Sequence, residues 1–104
     1  MLIELASYRT GDLEPPLKVV LTADGAPVDL TGAVAVEITL GATTASAAIT
    51  DAAAGEVSYI LQPGDTDTPG VLDFEARVEW TEGREQTFPA NDSRAIVRVA
   101  EGLA

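Results

Sequence analysis

The stretch Val71-Leu72-Asp73-Phe74-Glu75-Ala76-Arg77-Val78-Glu79-Trp80 decides the fold class of this chain. Apolar and charged side chains alternate along it, so Leu72, Phe74, Ala76, Val78 and Trp80 share one face and Asp73, Glu75, Arg77 and Glu79 share the other. A β-strand points successive side chains to opposite faces, whereas a helix would scatter both sets around its circumference. The two-residue period therefore predicts a strand with one face against a core.

A second stretch, Ala33-Val34-Ala35-Val36-Glu37-Ile38-Thr39-Leu40, has the same period. We expect its four large apolar side chains, Val34, Val36, Ile38 and Leu40, to face the core together.

Weaker alternation marks six further segments, separated by turn sequences rich in Gly, Pro and Asp. These segments are Leu2–Tyr8, Leu17–Thr22, Thr43–Thr50, Val57–Leu61, Glu85–Phe88 and Arg94–Val99. Asp51–Gly55 is compatible with a single helical turn. Short strands at this spacing predict an all-β, immunoglobulin-like antiparallel β-sandwich of about seven to eight strands. We expect one domain spanning residues 1–104, since a single core is typical of this length.

The composition removes most familiar catalytic chemistry. The chain has 104 residues, 46% of them hydrophobic, and contains neither cysteine nor histidine. It therefore has no thiolate nucleophile, no disulfide, no imidazole base and no ordinary transition-metal site. We predict a protein that is not an enzyme, with no catalytic residue and no cofactor.

The negative net charge of the chain limits the kinds of molecule it can bind. Seventeen acidic residues against six basic ones give a formal net charge of −11, which repels nucleic acid and anionic membrane surfaces. No stretch approaches the roughly 20 apolar residues of a membrane helix, and the first residues lack a basic leader. We expect no nucleic-acid binding, no membrane insertion and no signal peptide, so the chain would be made in the cytoplasm.

Acidic clusters have ordinary structural explanations. Asp73, Glu75 and Glu79 have the spacing of paired catalytic carboxylates, but an exposed strand face lacks the burial that raises one pKa. Asp65 and Asp67 resemble part of a calcium loop without its remaining ligands, and turn bonding to the backbone explains them equally well. We expect a solvated face and an ordinary turn.

Trp80, Tyr59 and Lys18 are candidates for binding chemistry. A tryptophan beside acids suits sugar stacking, but Trp80 belongs to the inward register of Phe74 and is expected at the core or its edge. Lys18, the only lysine, is expected on the outward side of an edge strand, where a charge discourages aggregation.

The order of the turn sequences resembles that of small β-sandwich domains in phage baseplate upper proteins and related phage tail proteins. The matching pieces are Gly11-Asp12 with Pro15-Pro16-Leu17, Leu21–Ala33, Asp51–Tyr59, Gly64–Gly70, Phe74–Val78, Gly83-Arg84, and Thr87-Phe88-Pro89 ending in Asn91-Asp92. The similarity covers nearly the whole chain.

This resemblance implies a non-enzymatic structural component of a tailed-phage virion, associated with the tail or baseplate. Its partners would be other virion proteins or copies of itself in a symmetric assembly. Residues 1–10 are expected to form an arm or an edge strand that contacts a partner, through Leu2, Ile3, Leu5 and Tyr8. The alternatives are a carbohydrate- or surface-binding module and a capsid decoration protein on the same fold.

Overall fold

A computed structural model describes residues 2–23, 25–89 and 93–102 and confirms the all-β fold class. The strands are β1 (Leu2–Arg9), β2 (Leu17–Val20), β3 (Thr22–Ala23), β4 (Ala26–Pro27), β5 (Ala33–Leu40), β6 (Thr43–Asp51), β7 (Glu56–Tyr59), β8 (Gly70–Trp80), β9 (Glu85–Phe88) and β10 (Arg94–Ala100). The only helical segment among these residues is the 3-10 turn Thr81–Gly83. Asp51–Gly55, which the sequence left open as a helical turn, forms the end of a strand and a turn. No helix in the described ranges is long and apolar enough to cross a bilayer.

The strands follow one hydrogen-bonded path, β1-β10-β8-β5-β6-β7-β2, which folds into two layers at β6. The first part of β6 pairs with β5, and its last part pairs with β7. The strands β9 and β10 occupy successive halves of the same edge of β8. This arrangement has the Greek-key character of an immunoglobulin-like sandwich.

One pair departs from the predicted antiparallel pattern. The strand β1 runs parallel to β10, with Leu2 opposite Arg94 and Arg9 opposite Ala100. The two strands come from opposite ends of the chain, so no tight turn forces them to be antiparallel. All other strand pairs among the described residues are antiparallel.

The predicted core face of β8 is confirmed, and that of β5 needs one correction. Val36, Ile38 and Leu40 are buried, but Val34 is 61% exposed. Ala33 pairs with Trp80 and Ala35 with Glu79, so one extra residue lies on the β5 side. This β-bulge shifts the alternation by one residue and turns Val34 outward.

Both layers contribute to one apolar core. Its most deeply buried members include Leu17 and Val57 from one layer and Ile38, Val78 and Val97 from the other. The connection before β5 adds Leu30, which is 1% exposed and belongs to the same core.

Candidate functional site

The four residues predicted to contact a partner all lie on β1, the edge strand at one end of the path. Leu2 is 58% exposed, Ile3 and Leu5 are half-buried, and Tyr8 is buried. Residues 2–9 thus form an edge strand of the domain's own sheet, hydrogen-bonded to β10 on one side. Contact of Leu2, Ile3 and Leu5 with a partner stays a prediction.

Tyr8 requires a correction, since its side chain belongs to the core. Glu4 pairs with Ile96 and Ala6 with Val97, which makes Leu5 the extra residue of a bulge and turns Tyr8 inward. The Tyr8 hydroxyl donates a 2.9 Å hydrogen bond to the Pro15 carbonyl oxygen. Burial raises the pKa of Tyr8, and the nearby charges of Asp12 and Glu14 raise it further. The side chain is therefore packed in the core, with 5% of its surface exposed.

A cleft separates β1 from β2, the two strands at the ends of the path. It has a volume of about 430 Å³ and is lined by residues 5–8 on one side and residues 15–18 on the other. We call this cleft the seam. The sequence prediction missed Pro15–Lys18 as its second wall. The available signal was Pro15-Pro16, because consecutive prolines before a strand mark a sheet edge.

A second feature lies on the outer face of the same layer, where Ile96 is only 2% exposed although it is not part of the central core. Its cross-strand neighbours are Glu4 on β1 and Asp73 on β8. Two ion pairs flank it, Arg94 Nε to Asp73 Oδ1 at 2.6 Å and Arg98 Nε to Glu4 Oε1 at 2.8 Å. Arg94 and Arg98 lie two residues before and after Ile96 on β10, so both ion pairs are on its face of the sheet, where long side chains can shield an apolar residue from water.

The acidic face of β8 is solvated, as predicted. Asp73, Glu75 and Glu79 are exposed. Arg77 reaches across to Glu85 of β9, with 3.8 Å between the Arg77 Nε and the Glu85 Oε2.

Asp65 acts as a structural hydrogen-bond acceptor. Its Oδ2 accepts a 2.6 Å hydrogen bond from the Tyr59 hydroxyl and a 2.8 Å bond from the backbone N–H of Gln62. Burial, together with this carboxylate, raises the pKa of Tyr59 to about 12. Among the described residues, no three side chains of the types that bind metals lie together.

Trp80 and Lys18 take the structural positions predicted for them. Trp80 is half-buried against the core, and Tyr59 is 3% exposed. Lys18 is exposed on β2, next to the seam.

A scan of the sequence against models of known protein families matches none of them, and a search of curated proteins finds no relative.

Proposed function

We propose that this chain is a non-enzymatic structural subunit of a tailed-phage particle, located in the tail or baseplate, which acts through contacts with other subunits. The observation that carries the proposal is the open edge of β1. Residues 2–9 are paired on one side only, and that edge has neither proline nor lysine and is interrupted once, by the bulge at Leu5. Such an edge is a template for pairing with another chain.

The resemblance of the turn sequences to phage baseplate upper proteins supplies the phage context, and an all-β sandwich is the fold that this resemblance implies. The carbohydrate-binding alternative needs an exposed ring for stacking. Tyr8 and Tyr59 are buried and Trp80 is half-buried, so no observation favours it. Capsid decoration differs from the proposal only in where the subunit docks.

The test is to purify particles by density gradient from lysates of cells that carry this gene. Mass spectrometry should find the chain in the particle band, and immunogold labelling should place it on the tail. Recovery of the chain only among free proteins at the top of the gradient would refute the proposal. Gold on the head would instead identify a capsid decoration protein.

A further inference from the structure

The strand β1 consists of two halves, one on either side of the bulge at Leu5. In the half after the bulge, Tyr8 is 5% exposed, and its hydroxyl donates a 2.9 Å hydrogen bond to the Pro15 carbonyl oxygen. The chain is held again just beyond the strand, where the backbone N–H of Thr10 donates to the Ala100 oxygen, also at 2.9 Å. This half is therefore anchored both in the core and to β10.

The half before the bulge, residues 2–4, has weaker anchors, and we call it the strap. Leu2 is 58% exposed, and Ile3 packs against the core but is only half-buried. On the outer face, Glu4 Oε1 accepts a 2.8 Å hydrogen bond from Arg98 Nε, and both side chains are about half exposed. An ion pair this exposed contributes about 0–1 kcal/mol. Because the bulge interrupts the ladder, the strap can separate from β10 without displacing the half after it.

Separation of the strap would uncover a docking surface on β10. Ile96 is 2% exposed and would lose Glu4, one of its two cross-strand neighbours on the outer face. The place that Ile3 occupies opposite Ala95 would open toward the core, and Arg98 would lose its carboxylate partner. The uncovered edge accepts an extended segment parallel to β10, with an apolar side chain turned inward and a carboxylate turned outward.

The strap of a second copy meets each of these requirements, because it is the segment that lies on this edge in the structure. We infer that two copies of the chain exchange their straps, so that residues 2–4 of each pair with residues 94–96 of the other. The contacts are the same within one chain and between two, so the exchange changes only which copy supplies them. This inference concerns the chain by itself and does not depend on the proposed structural role.

Reach and charge set the conditions for the exchange. Three extended residues span about 10 Å, so the two copies must meet at the start of β10. Each copy has a net charge of −11, which opposes their approach. The exchange should therefore require a high protein concentration, as within an assembly, and salt that screens the repulsion.

Mixed single-cysteine variants test the exchange. The chain has no cysteine, and Leu2 and Arg94 are register partners, so a disulfide between positions 2 and 94 reports where the strap lies. Equal amounts of Leu2→Cys and Arg94→Cys are mixed at high concentration in salt, oxidised and separated without reductant. Exchange should join one copy of each variant, in clear excess over disulfides between like copies. Absence of this excess would overturn the exchange.

Two controls locate the end of the exchanged segment. Arg9 and Ala100 are register partners in the anchored half, so a mixture of Arg9→Cys and Ala100→Cys should give no such excess. An excess in both mixtures would mean that all of β1 is exchanged, which would overturn the boundary at the bulge. The double variant Leu2→Cys/Arg94→Cys, oxidised when dilute, should close a disulfide within one chain and then no longer form dimers. Failure to close it would contradict the register of the strap.

Hydrogen exchange tests the opening itself. Strap amides bonded to β10 should exchange about tenfold or more faster than amides of residues 6–9. Glu4→Gln removes the ion pair and should raise this exchange about two- to fivefold. Glu79→Gln removes the same charge from the outer face of β8 and should leave it unchanged. Equal protection of the two halves would overturn the opening. Fast exchange of the strap without disulfides between copies would overturn the assignment of a second copy as the occupant.

Discussion

Gly55 lies against the backbone of Val28 and Leu21, and replacing it offers the sharpest test of how closely these segments pack. Gly55 has a φ of +70°, and a Cβ built on it would lie 2.6 Å from the Val28 carbonyl oxygen and 2.9 Å from the Leu21 carbonyl oxygen. Neither oxygen lies on a flexible side chain. The Val28 N–H donates to the Leu21 oxygen, and the Leu21 N–H donates to the Gly55 oxygen, each at 2.8 Å.

Gly55→Ala should therefore combine two costs. A side chain at positive φ costs about 1–2 kcal/mol, partly offset because alanine restricts the unfolded chain. Displacing hydrogen-bonded backbone adds about 1–3 kcal/mol, as overpacking does elsewhere. We expect a loss of about 2–4 kcal/mol, a large share of the roughly 5–15 kcal/mol typical of a domain.

Gly83→Ala is the matched control, because Gly83 has a φ of +73° and a Cβ at this position would meet nothing within 4 Å. It should lose only the conformational part, about 1 kcal/mol. Urea unfolding followed by the fluorescence of Trp80, the single tryptophan, measures both variants. Equal losses for the two variants would refute the close approach at Gly55.

Three further predictions concern single side chains. Ile96→Ala should cost about 2–4 kcal/mol in urea unfolding because Ile96 is buried. Val34→Ala, at a site that is 61% exposed, should change the stability by no more than about 0.5 kcal/mol. If Val34→Ala cost more than Ile96→Ala, Val34 could not point outward, and the bulge in β5 would be contradicted. Asp73→Asn should cost less than about 1 kcal/mol, since its pair with Arg94 is exposed, and a larger loss in the same assay would mean that the pair does more than cover Ile96. The pKa of Tyr59, raised to about 12 from an ordinary value of 10.0, implies stability that is complete below about pH 10 and is lost as the pH rises through 12. Absorbance titration at about 295 nm should show this ionisation at lower pH in Asp65→Asn, and an unchanged curve would exclude Asp65 as a cause.

The alternation of side chains predicted the layers of this fold well. The inward face of β8 and the buried Val36, Ile38 and Leu40 of β5 follow from period two alone. The same alternation gave the wrong orientation for Val34 and Tyr8 because each residue lies at or beyond a bulge. A bulge depends on how two strands fit each other, so the sequence of one strand does not reveal it.

The sequence does indicate that Ile96 is buried, although the alternation of inward and outward residues does not. The run Ala95-Ile96-Val97 is apolar at three successive positions, and all three residues are buried. A continuous apolar run indicates a strand covered on both faces. The cover was not predictable, because it comes from Glu4 and Asp73, which lie far from Ile96 along the chain.

The parallel pairing of β1 with β10 links the fold to the proposed assembly role. In immunoglobulin constant-type domains the first strand lies beside the second in the same sheet. Here the first strand joins the last one in the opposite layer, which leaves the outer edge of β2 open and creates the seam. The β2 edge is protected by its prolines and Lys18, and the β1 edge by the bulge at Leu5 and the charged residues Glu4 and Arg9. The two open edges therefore differ in the kind of protection they carry, and a strand that pairs with β1 would have to do so on one side of the bulge at Leu5.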